Sequence, residues 1–330
     1  MHPMIQRLRK KEFQVKFPDL NYIQKTSLSI LNPKNIDILF KLAQKFEVKG
    51  TEEGKAAGFL FRGQNYTYNW DEDKSSTPSW SITSALERRY PSKETQEKEE
   101  FRLINYSNHL PFYVQRMAKH QHLESGTRLV DFSSRLLVAL WFSAVDYKKS
   151  EKKKRSIPLV HKGDSGVWIL NILRLIMDSS KILGVYFTSS EENIGAPQNP
   201  SNIEEAEILF EIARQDVLNK SLLLGSFNSS HLGLAKKEIP RMIAQSGWMV
   251  FSPLFGVPFM DAMMNLENAV EEIKKGDLLA TFELEKEEDF EVLSFKDNEH
   301  YIINYPSSWN VEILKMLEKR GITWNSLMNL

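Results

Sequence analysis

The chain has 330 residues, of which 42% are hydrophobic, and this is enough for one large or two modest domains with a substantial core. Its 43 Lys and Arg residues balance 43 Asp and Glu residues, so the overall charge provides no general attraction to nucleic acid or anionic membranes. The absence of cysteine excludes disulfide scaffolds, Cys-based zinc sites and Cys nucleophiles.

The sequence predicts a soluble, cytoplasmic protein. No stretch approaches the roughly 18 consecutive apolar residues of a membrane-spanning helix. Residues 1–17 alternate basic and apolar side chains without a long apolar core, which argues against a secretory signal. The lack of cysteine agrees with a reducing compartment.

Apolar periodicity predicts helices and strands along most of the chain. Residues 1–33 are expected to form a strand or arm and a short helix. The predicted helices then cover 35–46, 84–90, 94–117 and 135–147, and the C-terminal helix breaks at Gly321 before a short second one. The predicted strands are 59–61, 127–134, 165–172, 225–227, 246–256 and an edge strand at 283–295. This irregular alternation, without internal repeats, favours an α+β domain with a split, mixed or antiparallel β-sheet and flanking helices.

Two polar segments are interpreted as loops. Residues 188–206 form a long polar stretch, and residues 148–158, "KKSEKKKRSIP", form a basic run. Short lysine runs normally stay in solvent at loop tips, and the alternative for this run is a nucleic-acid or phosphate patch. The pair His120 and His122 has the spacing of metal ligands on a strand, but no second acidic or His cluster accompanies it, so no metal site is predicted.

Three polar clusters stand next to apolar strands and are the candidate site. Arg62 directly follows the apolar run 59–61, Arg128 and Asp131 interrupt the run 127–134, and Gln245 precedes the run 246–256. Each has a structural alternative: an ion pair of Arg62 with Asp131 or a Glu, a strand-end salt bridge between Arg128 and Asp131, and a capping role for Gln245. Together they suggest three strand ends that converge on a cleft.

The residues of these clusters also carry a family resemblance. The stretch "FRGQ" at 61–64 resembles the opening signature of FRG domains, which are named for Phe-Arg-Gly. "TSALERRY" at 83–90 is similar to the family's Pro-Ser-then-Arg segment, with Thr83 in place of proline. "QHLESGTRLVDFS" at 121–133 resembles the family's Gln-His-x-Gly-x-Pro-Thr-Arg-Leu-Leu-Asp-Trp-Thr stretch. The matching residues there are Gln121, His122, Thr127, Arg128, Leu129 and Asp131.

The resemblance continues to the C-terminus. The later segments "LLVALWFSA", "SGVWILN", "RMIAQSGWMVF" and "GITWNSLMNL" follow in family order, with Trp248 at an aromatic position. Departures in the central stretch are Glu124 for glycine, Gly126 for proline, Phe132 for tryptophan and Ser133 for threonine. The resemblance implies an FRG domain over residues 51–330, with residues 1–50 as an N-terminal arm and helix that pack on it.

FRG domains in turn resemble the ADP-ribosyltransferase superfamily of the Arg-Ser-Glu type. This implies an ADP-ribosyltransferase-like fold with Arg62, Ser133 and Gln245 as the catalytic residues, and NAD as co-substrate without a metal. The residues implied to bind NAD are Arg62, Gly63, Gln64, Arg128, Asp131, Ser133 and Trp248. Arg62 would hold phosphate or ribose oxygens through its bidentate fork, and Gly63 would let the ligand approach the backbone.

The family association implies a bacterial toxin or phage-defence effector that modifies a nucleic acid or a protein, with an antitoxin or chaperone as a further partner. Gln245 departs from the superfamily pattern, because glutamine can orient a hydroxyl but cannot act as a base. Glu238 and Asp131 are the carboxylates nearest in sequence to the motifs. The alternatives are a non-catalytic module that binds a nucleotide, nucleic acid or partner protein, and a NAD glycohydrolase.

Overall fold

The computed structural model describes residues 28–51, 59–66, 82–105, 113–122, 126–146, 159–171, 225–228, 240–251, 259, 289–294 and 300–328. The described strands are β1 (Leu28–Pro33), β2 (Phe59–Gln64), β3 (Leu129–Ser133), β4 (Ser165–Asn171), β5 (Gly225–Asn228), β6 (Gly247–Phe251), β7 (Phe290–Ser294) and β8 (His300–Tyr305). The described helices are α1 (Ile36–Thr51), α2 (Ala85–Arg89), α3 (Lys93–Asn105), α4 (Tyr113–His122), α5 (Leu136–Ala144), α6 (Pro240–Ala244), α7 (Asn310–Glu318) and α8 (Trp324–Met328), with a 3-10 turn at Ser307–Trp309.

These strands form one mixed sheet in the order β5-β6-β3-β2-β4-β8-β1-β7. β1 and β8 run parallel, and the other neighbouring pairs are antiparallel. The α+β class with a mixed sheet and flanking helices is therefore confirmed. β2 and β3 share the single register pair Phe61 and Ser133, whereas β2 and β4 are paired over six positions. The paired stretch between β2 and β3 is thus the shortest in the sheet.

Helix α5 lies across one face of this sheet and forms the centre of the core. Its sequence, LLVALWFSA, is apolar all round, as expected for a helix enclosed on every side. It packs on β2 and also contacts α1, α7, β3 and β4. Trp141 is 2% exposed, and its ring centroid lies 5.8 Å from that of Trp324. Ser143 bonds the Leu140 carbonyl at 2.8 Å and the Tyr305 hydroxyl at 2.6 Å, so its hydroxyl is buried without an unmet hydrogen bond.

Gly63 is the point at which α5 comes closest to the sheet. A Cβ added to Gly63 would lie 1.9 Å from the Ala139 carbonyl oxygen and 2.6 Å from the Ser143 backbone nitrogen. Gly63 was predicted to let a ligand approach the backbone, and this stays a prediction; in its Cβ direction the space is filled by the backbone of α5. The glycine is required for packing of the helix on the sheet.

Most predicted elements are present within the described residues. Asn35 caps α1, because its side chain accepts a hydrogen bond from the Ile38 backbone at 3.0 Å. Gly321, with a φ of 75°, follows the C-terminus of α7 and prevents the helix from continuing. The predicted helix 94–117 is instead two helices, α3 and α4, and the sequence between them contains Pro111, which cannot donate a helical hydrogen bond. The sequence analysis missed β8, although the run from Tyr301 to Ile303 carries the expected apolar signal.

Several predictions fall outside the described residues: those for residues 1–27, the basic run 148–158 and the polar stretch 188–206. Of the predicted edge strand 283–295, the structure describes β7, which does lie at one end of the sheet. In the part of the chain that is described, no helix combines the length and apolar character needed to cross a membrane.

We expect Gly63→Ala to lower the free energy of unfolding by at least about 3 kcal/mol, because the new methyl group has to displace the backbone of α5. Urea unfolding followed by circular dichroism measures the change. The matched control is Gly163→Ala, whose methyl group meets the end of the His161 ring, which can move. Equal stability of the two variants would contradict the close packing of α5 on β2.

Candidate functional site

The position of α5 determines which face of the sheet carries the polar residues of β2. Side chains alternate along a strand, and the Cβ direction of Gly63 points into α5. Arg62 and Gln64 therefore project from the opposite face. The register pair of Phe132 with Trp248 lies on that opposite face too, because Ser133 pairs with Phe61 on the α5 side. We call the surface that contains Arg62, Gln64, Phe132 and Trp248 the Arg62 face.

The Arg62 guanidinium reaches from β2 to the neighbouring strand β3, beside the short paired stretch. Its Nη1 donates a 2.5 Å hydrogen bond to the backbone carbonyl of Asp131, while its buried Nε has no hydrogen-bond partner. Burial lowers the pKa of Arg62 to about 10, with the charge of Asp131 opposing this effect and that of Arg88 adding to it. Arg62 remains protonated at neutral pH, so the site presents a positive charge and an unused donor.

Gln64 contributes a second unsatisfied atom to the same face. Its buried Oε1 accepts no hydrogen bond, although Gln64 lies only two residues beyond Arg62 on β2. Each buried polar atom left without a partner costs about 1–3 kcal/mol. β2 thus carries a buried donor and a buried acceptor that no described residue satisfies.

Asp131 is held in place by Gln121. Its Oδ2 accepts a 2.9 Å hydrogen bond from Gln121 Nε2, and Gln121 Oε1 accepts a 2.7 Å bond from the Thr127 hydroxyl. An ion pair between Arg62 and Asp131 was one structural alternative. Instead, Arg62 bonds the Asp131 main chain, and the carboxylate acts on Arg62 through its charge.

Arg128 has a structural partner that the sequence analysis did not identify. Its Nε donates to Glu100 Oε1 at 2.9 Å, its Nη2 lies 2.9 Å from the same oxygen, and its backbone N–H donates to Oε2 at 3.1 Å. Both side chains are at most 2% exposed. The predicted salt bridge between Arg128 and Asp131 is wrong. The interpretation of Arg128 as a ligand-binding residue is also not retained, since its guanidinium is buried against α3.

Ser133 and Gln245 lie together, but on the other side of the sheet from Arg62. The Ser133 hydroxyl donates to the Gln245 backbone carbonyl at 2.7 Å and accepts from the Arg135 backbone at 3.0 Å. The Gln245 side-chain amide donates to the Leu327 carbonyl at 3.2 Å. The Ser133 side chain thus connects β3 to the turn before β6, and the Gln245 side chain connects that turn to α8. The three predicted catalytic side chains therefore do not meet in one cleft.

The aromatic residues at and near the three polar clusters lie in different environments. Phe61 is buried on the α5 side, where its ring centroid lies 6.4 Å from that of Phe46. Phe132 is buried on the Arg62 face and packs 6.2 Å from Phe259. Trp248 is partly exposed on this face, and Tyr66 is 57% exposed. Trp248 is the aromatic residue of the Arg62 face that retains contact with solvent.

Two carboxylates and one arginine near the site were not singled out from the sequence. Glu100 lies in a strongly charged helix, and Glu87 belongs to a capping box with Ser84. The spacing Ser84-x-x-Glu87 was a readable signal for that cap. Arg88 was quoted within "TSALERRY", but nothing in the local pattern distinguished it from Arg89.

Comparison with known families supports part of the identification. The FRG domain model matches residues 57–152, a segment that contains β2 and continues through α5. The match supports an FRG domain-containing protein. Neither the curated proteins nor the solved structures provided a match. Within the described residues, no group of three or more His, Asp or Glu side chains is arranged to hold a metal ion.

We expect Glu100→Gln to lower the free energy of unfolding by about 3–5 kcal/mol, because it leaves the buried Arg128 charge without a counter-ion. Chemical denaturation at neutral pH measures the loss. Glu97→Gln, on the exposed side of the same helix, is the control and should change stability by less than about 1 kcal/mol. A similar loss in both variants would refute a structural role for the buried pair.

Gln245→Ala should reduce stability by about 1 kcal/mol through the lost bond to Leu327, without changing the affinity for a ligand at Arg62. Denaturation and titration calorimetry are performed on the same preparation. A large loss of ligand affinity with unchanged stability would instead place Gln245 in the binding site.

Proposed function

We propose that this chain binds an anionic nucleotide on the Arg62 face, that the ligand is NAD, and that the protein is an ADP-ribosyltransferase-like effector. The FRG match provides the family context for the second and third parts. The proposal includes a cytoplasmic toxin or phage-defence role, with a nucleic acid or a protein as the acceptor of ADP-ribose.

The observation that carries the proposal is the unsatisfied pair on β2. Arg62 Nε and Gln64 Oε1 are both buried, both without partners, and both on the face that α5 leaves uncovered. Guanidinium groups bind phosphate through parallel N–H bonds, and these charge-assisted bonds are stronger than neutral ones. An amide oxygen beside the guanidinium accepts from a hydroxyl or an N–H group. Phosphate oxygens next to ribose hydroxyls are the complementary chemistry, and NAD contains both.

Arg62, Gln64 and Trp248 each bind a different part of the ligand. Arg62 binds a phosphate oxygen through Nε, and its Nη1 remains fixed by the Asp131 carbonyl. Gln64 accepts a hydrogen bond from a ribose hydroxyl or the nicotinamide carboxamide. Trp248 offers an accessible ring on which a base can stack. When bound, NAD would supply the nicotinamide–ribose bond, whose cleavage builds positive charge on the sugar.

Transfer of ADP-ribose needs a group that stabilises this positive charge. Asp131 is a described carboxylate whose charge acts on Arg62; Gln121 fixes its orientation, and strand alternation directs it from β3 to the same side as Ser133. Ser133 and Gln245 remain candidates for catalysis only if Gln245 exchanges its Leu327 partner for the ligand. Glu238, the other carboxylate considered from the sequence, lies outside the described residues.

A non-catalytic binding module is the second candidate, and the bond from Gln245 to Leu327 favours it. In this function the Arg62 face recognises a nucleotide, while Ser133 and Gln245 serve the fold. The two candidates share the ligand site and differ in whether the bound ligand is consumed.

We expect Arg62→Gln to weaken NAD binding by about 10- to 100-fold, since it removes a charged donor to phosphate that is worth about 1.5–3 kcal/mol. Arg62→Lys should lie between this variant and the wild type, because it keeps the charge but loses the fork. Titration calorimetry measures the affinities. Arg102→Gln, at an exposed arginine of α3, is the matched control and should bind as the wild type does. Equal affinity of the wild type and Arg62→Gln would reject the site.

Turnover separates the candidate functions. Wild-type protein is incubated with adenine-labelled NAD and either nucleic acid or cell extract, and both released nicotinamide and the label on macromolecules are measured. Label transfer that depends on Arg62 supports ADP-ribosylation, and nicotinamide release without label transfer indicates a NAD glycohydrolase. Binding without either product identifies a non-catalytic module.

A further inference from the structure

Helix α2 is fixed against the start of β3, next to the Arg62 face. The Leu86 backbone N–H donates to the Thr127 carbonyl at 3.3 Å. A Cβ at Gly126 would lie 3.0 Å from the carbonyl carbon of Ala85, so α2 and the segment before β3 are in close contact. The short helix thus has a defined position, and the side chains at its C-terminal end are directed by this docking.

A second contact places α2 on the same face of the sheet as Arg62. The Glu87 carboxylate accepts a hydrogen bond from the Phe259 backbone, and the Phe259 ring packs 6.2 Å from that of Phe132. Phe132 belongs to the Arg62 face because its neighbour Ser133 lies on the α5 side. Arg88 follows Glu87 in the same docked helix, and its charge acts on Arg62.

The charge of Arg88 acts on Arg62. Burial is the main cause that lowers the pKa of each guanidinium, and Arg88 lowers the pKa of Arg62 further. Glu87 and Asp131 raise the pKa of Arg88, and Asp131 raises that of Arg62, so Asp131 is the carboxylate common to both guanidinium groups. An anion between the two arginines relieves the repulsion that Arg88 exerts on Arg62.

Each guanidinium has one nitrogen fixed by the protein. Arg62 Nη1 donates to the Asp131 carbonyl, and Arg88 Nη1 donates to the Thr83 carbonyl at 2.6 Å. The Nε and Nη2 atoms form the other edge of each fork, and such an edge binds one phosphoryl group through two parallel bonds. We propose that Arg88 is the second cation of the Arg62 site and that the two arginines together bind a diphosphate group.

This inference rests on the proposed nucleotide site, and it adds the residue that distinguishes diphosphates from monophosphates. One phosphoryl group lies on the Arg62 fork and its neighbour on the Arg88 fork. Ligands with a diphosphate, such as ADP and NAD, use both arginines. AMP has one phosphoryl group, which Arg62 holds beside Gln64.

The test compares ADP and AMP binding by calorimetry in the wild type and in Arg88→Gln. We expect Arg88→Gln to weaken ADP binding by about 10- to 100-fold and AMP binding by less than about threefold. Arg88→Lys should retain part of the ADP affinity, because it keeps the charge without the fork. Arg89→Gln changes the same charge on the same helix and should leave both affinities within about twofold.

The outcomes separate this inference from the proposed function. If Arg62→Gln abolishes ADP binding and Arg88→Gln does not weaken it, the diphosphate clamp is rejected and the nucleotide site stands. Equal losses for AMP and ADP in Arg88→Gln also reject the clamp. If neither variant changes the affinity, both proposals fail. The urea midpoint of Arg88→Gln is measured as well, because Arg88 is exposed but also donates to the Thr83 carbonyl. If that midpoint falls, Arg88→Lys provides the same comparison.

Discussion

The contact between Gly63 and the backbone of α5 determines the arrangement of the whole candidate site. An apolar helix can approach a strand this closely only where the strand has no side chain, and a Cβ at Gly63 would lie within 1.9 Å of the Ala139 oxygen. Strand alternation then places Arg62 and Gln64 on the opposite face. The order Phe61, Arg62, Gly63 thus has a physical explanation: the apolar residue and the glycine face the helix, and the arginine between them faces away.

The Arg62 face departs from the rule that buried polar groups are paired. Among the described residues, the buried Arg128 has a counter-ion in Glu100, with which it shares four close contacts. In contrast, Arg62 Nε and Gln64 Oε1 lie unpartnered on one strand. Natural proteins accept such local costs at functional sites, where a ligand supplies the missing partners. Arg128 has a carboxylate bonded to its guanidinium, whereas Arg62 has none among the described residues, and this difference is the reason for placing the site at Arg62.

Sequence reasoning succeeded where a local pattern specifies the structure. The apolar runs predicted β2, β3, β4 and β6, and the Asn35 cap and the break at Gly321 follow from local backbone preferences. The same reasoning found Arg62, because an arginine directly behind an apolar strand needs a partner.

It failed where the outcome depends on contacts between distant segments. The pairing of Arg128 with Glu100 joins residues 28 positions apart, and the bond from Gln245 to Leu327 joins residues 82 positions apart. No spacing rule predicts either contact. The expected convergence of Arg62, Ser133 and Gln245 assumed that strand ends meet on one face. The register of Ser133 with Phe61 instead places Ser133 on the α5 side.

The most direct test of this account is the NMR signal of the Arg62 Nε–H group during a titration with NAD, assigned by its disappearance in Arg62→Lys. The account predicts that this signal shifts strongly as the free donor gains a phosphate partner, while the Nε–H signal of Arg128, already bound to Glu100, stays in place. An unchanged Arg62 signal at saturating NAD would contradict it.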